Sequence, residues 1–213
     1  MSTLRQVLKE VKDELKQKEK LRETAQDNMR KATSLSKQAI LFVHQKKLEE
    51  AEKLIEKAKA KILDLNKSYE AYPEIVHSGL FDAARQEYSE ANILLSLIKE
   101  SRFATPRDIG VPSIDYVLGL ADVIGEYRRL ALDYLREGNA KKAEQCLLTM
   151  DEMYVELMAL DEAYMLVPGL RRKCDVGRKI IEITRGDITQ EVRRNVLEKH
   201  LREFERIIRK SRT

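Results

Sequence analysis

Two pairs of carboxylates lie in segments that otherwise read as helices. In "GLFDAARQEYSEANILLSLIKE", Gly79 to Glu100, Glu87 and Glu90 share a stripe with Ala83, Leu94 and Leu97. An ordinary core helix puts apolar residues along such a stripe and keeps its charges on the far face. In "DYVLGLADVIGEYRRLALDYL", Asp122 and Glu126 stand at i and i+4, and Arg129 and Asp133 continue their face. Residues three or four apart are neighbours on a helix, so each pair presents its carboxylates together. If the two helices pack antiparallel, all four can converge. Like charges about 4 Å apart repel by roughly 4 kcal/mol at an effective dielectric near 20. Such a cluster takes up protons, spreads into water or binds cations. Oxygen-only ligands favour Mg²⁺ or Mn²⁺ over Zn²⁺, and one or two such ions can drive phosphodiester hydrolysis. The same spacings also occur as solvated charges and ion pairs on surface helices.

Other chemistries find little support. His44, His77 and His200 are scattered, and neither G-x-x-x-x-G-K-[ST] nor G-x-G-x-x-G is present. Nucleotide-binding loops and a histidine metal centre are therefore not expected, nor is a nucleophile triad. Cys146 and Cys174 sit inside helical patterns without metal-motif spacing, which suits reduced thiols in a cytoplasmic protein. The opening "MSTLRQVLKEVKDELKQ" lacks the apolar core of a secretory signal. No run of about 18 apolar residues exists to cross a membrane.

The elements that must position the carboxylates are all helical. Charged residues make up 36% of the 213 and aromatics 6%, with 8 Gly and 4 Pro. That balance is typical of an all-α chain. The breaks fall at Tyr72-Pro73, "FATPRDIGVPS", "REGNAKK", Pro168-Gly169 and Gly186-Asp187. Thr105 reads as an N-cap with Pro106 at N1, and Ser113 as the cap of the following helix. Gly138 reads as a C-cap and Asn139 as the next N-cap. Gly186 reads as a C-cap followed by a capping box of Asp187 and Gln190. The resulting helices span roughly 3–45, 47–71, 73–101, 113–137, 139–165, 169–185 and 188–211. They form one domain over 1–213, with a long N-terminal helix at 1–45 and a basic C-terminal helix at 187–213. Val117, Ile124, Ala131 and Tyr134 are expected to face the core. The early seam of Leu4, Leu8, Val11 and Leu15 is narrow among many charges, so that helix should project or meet another subunit.

Charge is unevenly spread. From Arg171 onward, fourteen Lys/Arg face seven Asp/Glu, a balance of +7 in a chain of net +4. A basic end on a near-neutral body suits a polyanion, although ion pairs on a solvated face give the same count. Arg171, Arg172 and Lys173 open a helix, where the dipole disfavours cations, so phosphate or an acidic neighbour should meet them. Arg30, Lys37 and His44, spaced by seven, share another face.

In that order, "NMRKATSLSKQAILFVHQKKLEEAEKLIEKA", "ARQEYSEA", "GVPSIDYVLGLADVIGEYRRLALDYLREGN" and "LRRKCDVGRKIIEITRGDIT" resemble the translin family over about Asn28 to Thr189. That family has a nucleic-acid-binding branch, translin itself, and a catalytic branch, translin-associated factor X. The motif "QEYxEA" of the catalytic branch matches Gln86 to Ala91, and its "D-x-x-G-E" matches Asp122 to Glu126. The resemblance implies a seven-helix bundle assembled into a closed octameric shell around RNA. It implies an endoribonuclease dependent on Mg²⁺ or Mn²⁺, with Glu87, Glu90, Asp122 and Glu126 as metal-binding and catalytic residues. Arg30, Lys37, His44, Arg171, Arg172 and Lys173 become candidate RNA contacts. Single-stranded RNA is the expected substrate, with single-stranded DNA as a further ligand. The start directly on a helix, without a basic extension, looks like an archaeal member. The alternative is a binding shell of the translin type without turnover.

Overall fold

Alternating small and large residues decide how the first helices meet. The computed structural model describes residues 3–71, 79–160 and 164–211, and seven helices account for the regular structure there. In α2 (Leu48–Ala71) the buried positions are Ala51, Ile55, Ala58, Ile62 and Leu65. In α3 (Gly79–Glu100) they include Phe81, Ala84, Tyr88, Ala91 and Leu95. Steps of three and four with Ala between bulky residues let facing side chains interdigitate over each Ala. The first helix, α1 (Leu4–His44), packs against both α2 and α3, and α2 packs against α3. Chain reversal between α1 and α2 is tight. Lys46 takes φ 62°, and the Lys47 N–H donates to the Phe42 carbonyl at 2.9 Å.

Most turn signals of the next segments act as expected. Before the one-turn α4 (Pro106–Ile109), the Thr105 hydroxyl accepts from the Asp108 N–H at 3.2 Å. Asp108 in turn accepts from the Thr105 N–H at 2.8 Å, completing a capping box. Gly138, at φ 75°, closes α5 (Ser113–Arg136). Asn139 then caps α6 (Ala140–Met158) by accepting from the Lys142 N–H at 3.0 Å. Ser113 is already helical rather than a preceding cap. Ile124 and Ala131 are fully buried, while Val117 and Tyr134 are half-buried.

The break expected at Gly186-Asp187 is absent. A single helix, α7 (Leu170–Ser211), replaces the two expected at 169–185 and 188–211. Its buried positions Leu170, Cys174, Ile181, Thr184 and Ile188 keep one face turned inward straight through the glycine. Asp187 is drawn sideways to Arg128 Nη2 at 3.2 Å instead of folding back to cap a helix. Helix α6 also ends at Met158, short of the expected 165. The expected break at Tyr72-Pro73, the expected helix start at 73 and His77 lie outside the described residues.

The chain divides into two compact units, Met1–Leu120 and Ala121–Thr213. The first contains α1 to α4 and the opening turns of α5. The second contains the remainder of α5 with α6 and α7, and there α6 packs on α7. Leu4, Leu8, Val11 and Leu15 remain at least 43% exposed, and burial in α1 begins only at Ala25. Leu197, Leu201, Phe204 and Ile207 near the end of α7 are equally open. No helix among the described residues is long and apolar enough to cross a membrane.

Candidate active site

In the first unit the acidic turn belongs to α3. Glu90 is buried at 8% exposure, and Glu87 is half-buried. A carboxylate in such a place is costly unless neutralised or well solvated by polar partners. Lys37 of α1 brings its Nζ to 3.7 Å from Glu87 Oε2. One expected RNA-binding cation therefore stands on one expected metal ligand. Arg30 on the same face is exposed, and His44 is half-buried.

Two features fix this turn against the start of α5. Arg85 stacks on the Phe81 ring at 3.7 Å from its centroid and reaches Asp115 Oδ2 at 3.8 Å. Burial pushes the Asp115 carboxyl up to about 6, even though Arg85 pulls the other way. One turn further along α5 comes Gly119. A Cβ there would lie 2.7 Å from the Gln86 carbonyl oxygen and 3.0 Å from the Glu90 nitrogen. Only a residue without a side chain lets the α5 backbone come this close to the turn that carries both glutamates. Gly119 was not among the residues expected to matter. A glycine inside a strong helical pattern was the available signal.

In the second unit, Asp122 and Glu126 lie on successive turns of α5, both half-buried. Lys173 Nζ, from the first turn of α7, donates to Asp122 Oδ1 at 2.6 Å and to Oδ2 at 2.5 Å. Lys173 thus meets an acidic neighbour, the alternative to phosphate foreseen for this cluster. Arg171 and Arg172 are exposed. Glu126 Oε2 lies 4.0 Å from Arg129 Nη1. A cavity of about 470 Å³ opens beside Asp122, lined also by Gly125, Gly169, Arg172, Lys173 and Gly177. A separate clamp holds α5 to α7: Arg128 Nη1 donates to the Thr184 hydroxyl at 2.8 Å, while its Nη2 pairs with Asp187.

The four expected ligands therefore belong to two units, Glu87 and Glu90 to one and Asp122 and Glu126 to the other. Among the described residues, no three His, Cys, Asp or Glu side chains gather as a metal-holding group. In kind the donors suit a hard cation. They are carboxylate oxygens, but two of them are engaged by lysines, Asp122 by Lys173 and Glu87 by Lys37.

These features define an all-helical protein with paired carboxylates and adjoining cations. The translin family model matches residues 16–183, and the chain belongs to the translin family. An uncharacterized protein of Methanocaldococcus jannaschii is 36% identical over 143 residues, which are 67% of this chain and 63% of that protein. The match thus spans just under two thirds of that relative's length. The crystal structure of AfC3PO superposes with a TM-score of 0.79 at 35% identity, covering 89% of this chain and 98% of that one. A complex of AfC3PO with duplex RNA gives 0.78 at the same identity and coverage. The crystal structure of apo-NeC3PO gives 0.80 at 25% identity, covering 90% and 100% of the two chains.

Proposed function

We propose that this protein is an endoribonuclease of the translin-associated factor X type, dependent on Mg²⁺ or Mn²⁺ and acting within a closed oligomer. The observation that carries this reading is the pairing of expected RNA cations with expected metal ligands, Lys37 with Glu87 and Lys173 with Asp122. Groups that can attract phosphate thus stand beside carboxylates that the resemblance makes metal ligands. Glu87, Glu90, Asp122 and Glu126 would hold the cation. When bound, the ion supplies Lewis-acid polarisation of the scissile phosphate. A carboxylate oxygen of the same set takes the proton of the attacking water. Arg30, Lys37, His44, Arg171, Arg172 and Lys173 orient the RNA backbone. The likeness to AfC3PO, one structure of which holds duplex RNA, supports RNA as the ligand. The buried free thiols Cys146 and Cys174 suit a reducing cytoplasm.

A second reading has its own support. Ammonium groups already neutralise Asp122 and Glu87, which also suits a binding shell that does not cleave. An RNase assay with Mg²⁺, with and without EDTA, separates the two: cleavage abolished by EDTA supports the nuclease, and no cleavage in either condition supports the shell.

The RNA interaction should be strongly electrostatic. Neutralising about four phosphates of a single strand gives a log–log salt slope near −3, at about −0.7 per phosphate. Affinity should fall roughly 50-fold between about 50 and about 200 mM salt. Single strands should outcompete blunt duplex, because their bases are open to stacking and edge contacts. Filter-binding titrations measure both, and a flat salt response rules out the electrostatic part. Assembly follows from the exposed seams at the start of α1 and the end of α7, since closed symmetry hides such faces. A homo-octamer should dominate at micromolar concentration. A light-scattering mass near the monomer's 24.7 kDa overturns that expectation.

A further inference from the structure

We infer that the first turns of α1 zip antiparallel onto the last turns of α7 in a second copy of this chain. The inference deepens the expected assembly by naming the two strips that join and their register. It does not depend on the nuclease reading. Leu4, Leu8, Val11 and Leu15 are spaced by four, three and four residues, and so are Leu197, Leu201, Phe204 and Ile208. Each set occupies the a and d positions of a short heptad seam, about 17 Å long. The outward positions are polar, as at Lys9, Glu10 and Asp13 in α1 and Arg202, Glu203 and Arg206 in α7. A stripe this narrow suits one partner helix rather than a broad core. Neither strip is covered within the chain: the α1 set is 43–74% exposed and the α7 set 38–61%.

The flanking residues select partner and direction, as e and g positions do in coiled coils. Laid antiparallel, Leu4 meets Ile208, Leu8 meets Phe204, Val11 meets Leu201 and Leu15 meets Leu197. On one flank Arg5 then faces Glu205, and Lys12 faces Glu198. On the other, Glu14 faces His200, and Val7 faces the equally exposed Ile207. Past the seam Lys18 would meet Arg194 and Glu19 would meet Glu191, so the pairing stops at four layers. Other arrangements lose this match. A parallel α1–α7 pair sets Val7 against Glu205 and Lys12 against His200. Two antiparallel α1 strips set Arg5 against Lys12, and two parallel ones set Val7 against Lys12. Two antiparallel α7 strips set Glu198 against Glu205. Parallel α7 strips bring His200 to Glu205 but leave the α1 strip bare. The mixed antiparallel pair covers both strips with opposite charges facing. Each copy offers both strips, so the pairing closes by exchange between two copies or around a ring.

Charge reversal tests this, read by light scattering over a dilution series of the full-length protein. Arg5→Glu with Lys12→Glu in one chain should weaken assembly about five- to thirtyfold, the scale of two exposed pairs turned from attraction to repulsion. Glu198→Lys with Glu205→Lys should do the same. All four exchanges in one chain should restore wild-type assembly, as should mixing the two double variants. None of these positions is buried, so helix content by circular dichroism should stay at the wild-type level. Cross-linking gives a second reading. Leu8→Cys and Phe204→Cys chains, coexpressed with different tags, should form an 8–204 link through a short bis-maleimide, which can only join two copies. Cys146 and Cys174 are buried, and the wild type serves as background. Links of 8–8 or 204–204 in its place overturn the pairing. If the wild type is oligomeric and no charge reversal weakens it, the pairing is wrong and the assembly stands. If the wild type stays monomeric at micromolar concentration, both fall.

Discussion

Asp122→Asn is expected to slow cleavage of single-stranded RNA at least about 100-fold, the scale of losing about 2.7 kcal/mol or more of transition-state electrostatic stabilisation. The exchange keeps side-chain volume, so no cavity forms to confuse the result. It also removes the Lys173 partner, but that ion pair is partly exposed and contributes little to stability. Helix content and oligomer mass should therefore match wild type. Glu126→Gln, Glu87→Gln and Glu90→Gln should lose activity on the same scale. At Glu90, 8% exposed, a neutral amide is no harder to bury than a carboxylate. Double variants should lose little more than single ones, because residues acting as a unit are not additive. RNA binding should persist or tighten as negative charge near the phosphates falls. Glu49→Gln, on an exposed stretch of α2, is the control and should cleave normally. Wild-type rates in all four site variants would leave the binding shell as the surviving reading.

The sequence carried the question of this site better than its geometry. Glu87 and Glu90 interrupt an apolar stripe, and the structure places Glu90 inside and Glu87 at the margin, while Ala83 on the same stripe is exposed. The projecting start of α1 was equally legible, because Leu4 to Leu15 form a seam too narrow for their charged surroundings. Long-range pairings were not. Nothing local to Asp122 announces Lys173, 51 residues away, and nothing local to Lys37 announces Glu87. The unbroken α7 was a conflict between two signals. Gly186, Asp187 and Gln190 spell a local stop and restart, whereas Ile181, Thr184 and Ile188 keep the helical stripe running. Tertiary burial and the Arg128–Asp187 pair outweigh the capping preference.

Gly119→Ala should test how strictly the α3 turn is held. In an unobstructed helix interior this exchange stabilises by about 0.5–1 kcal/mol, because alanine has the higher helix propensity. Gly186→Ala, where an added Cβ has nothing within 4 Å, should show that gain. At Gly119 the sign should reverse. The new methyl lies 2.7 Å from the Gln86 carbonyl oxygen and 2.7 Å from Ser89 Cβ. Backbone oxygen cannot rotate away as a side-chain tip can, so α3 and α5 must separate. Overpacking of this kind costs about 1–3 kcal/mol, or a melting temperature lower by roughly 4–8 °C for about 2 kcal/mol in a chain of this size. Activity should suffer further, since the displaced turn carries Glu87 and Glu90, and misplacement by about 1 Å can cost on the order of 100-fold in rate. Thermal melts and single-turnover cleavage measure the two effects separately. If Gly119→Ala melts and cleaves like wild type, the close approach of α5 does not position the glutamates, and the need for glycine at this crossing disappears.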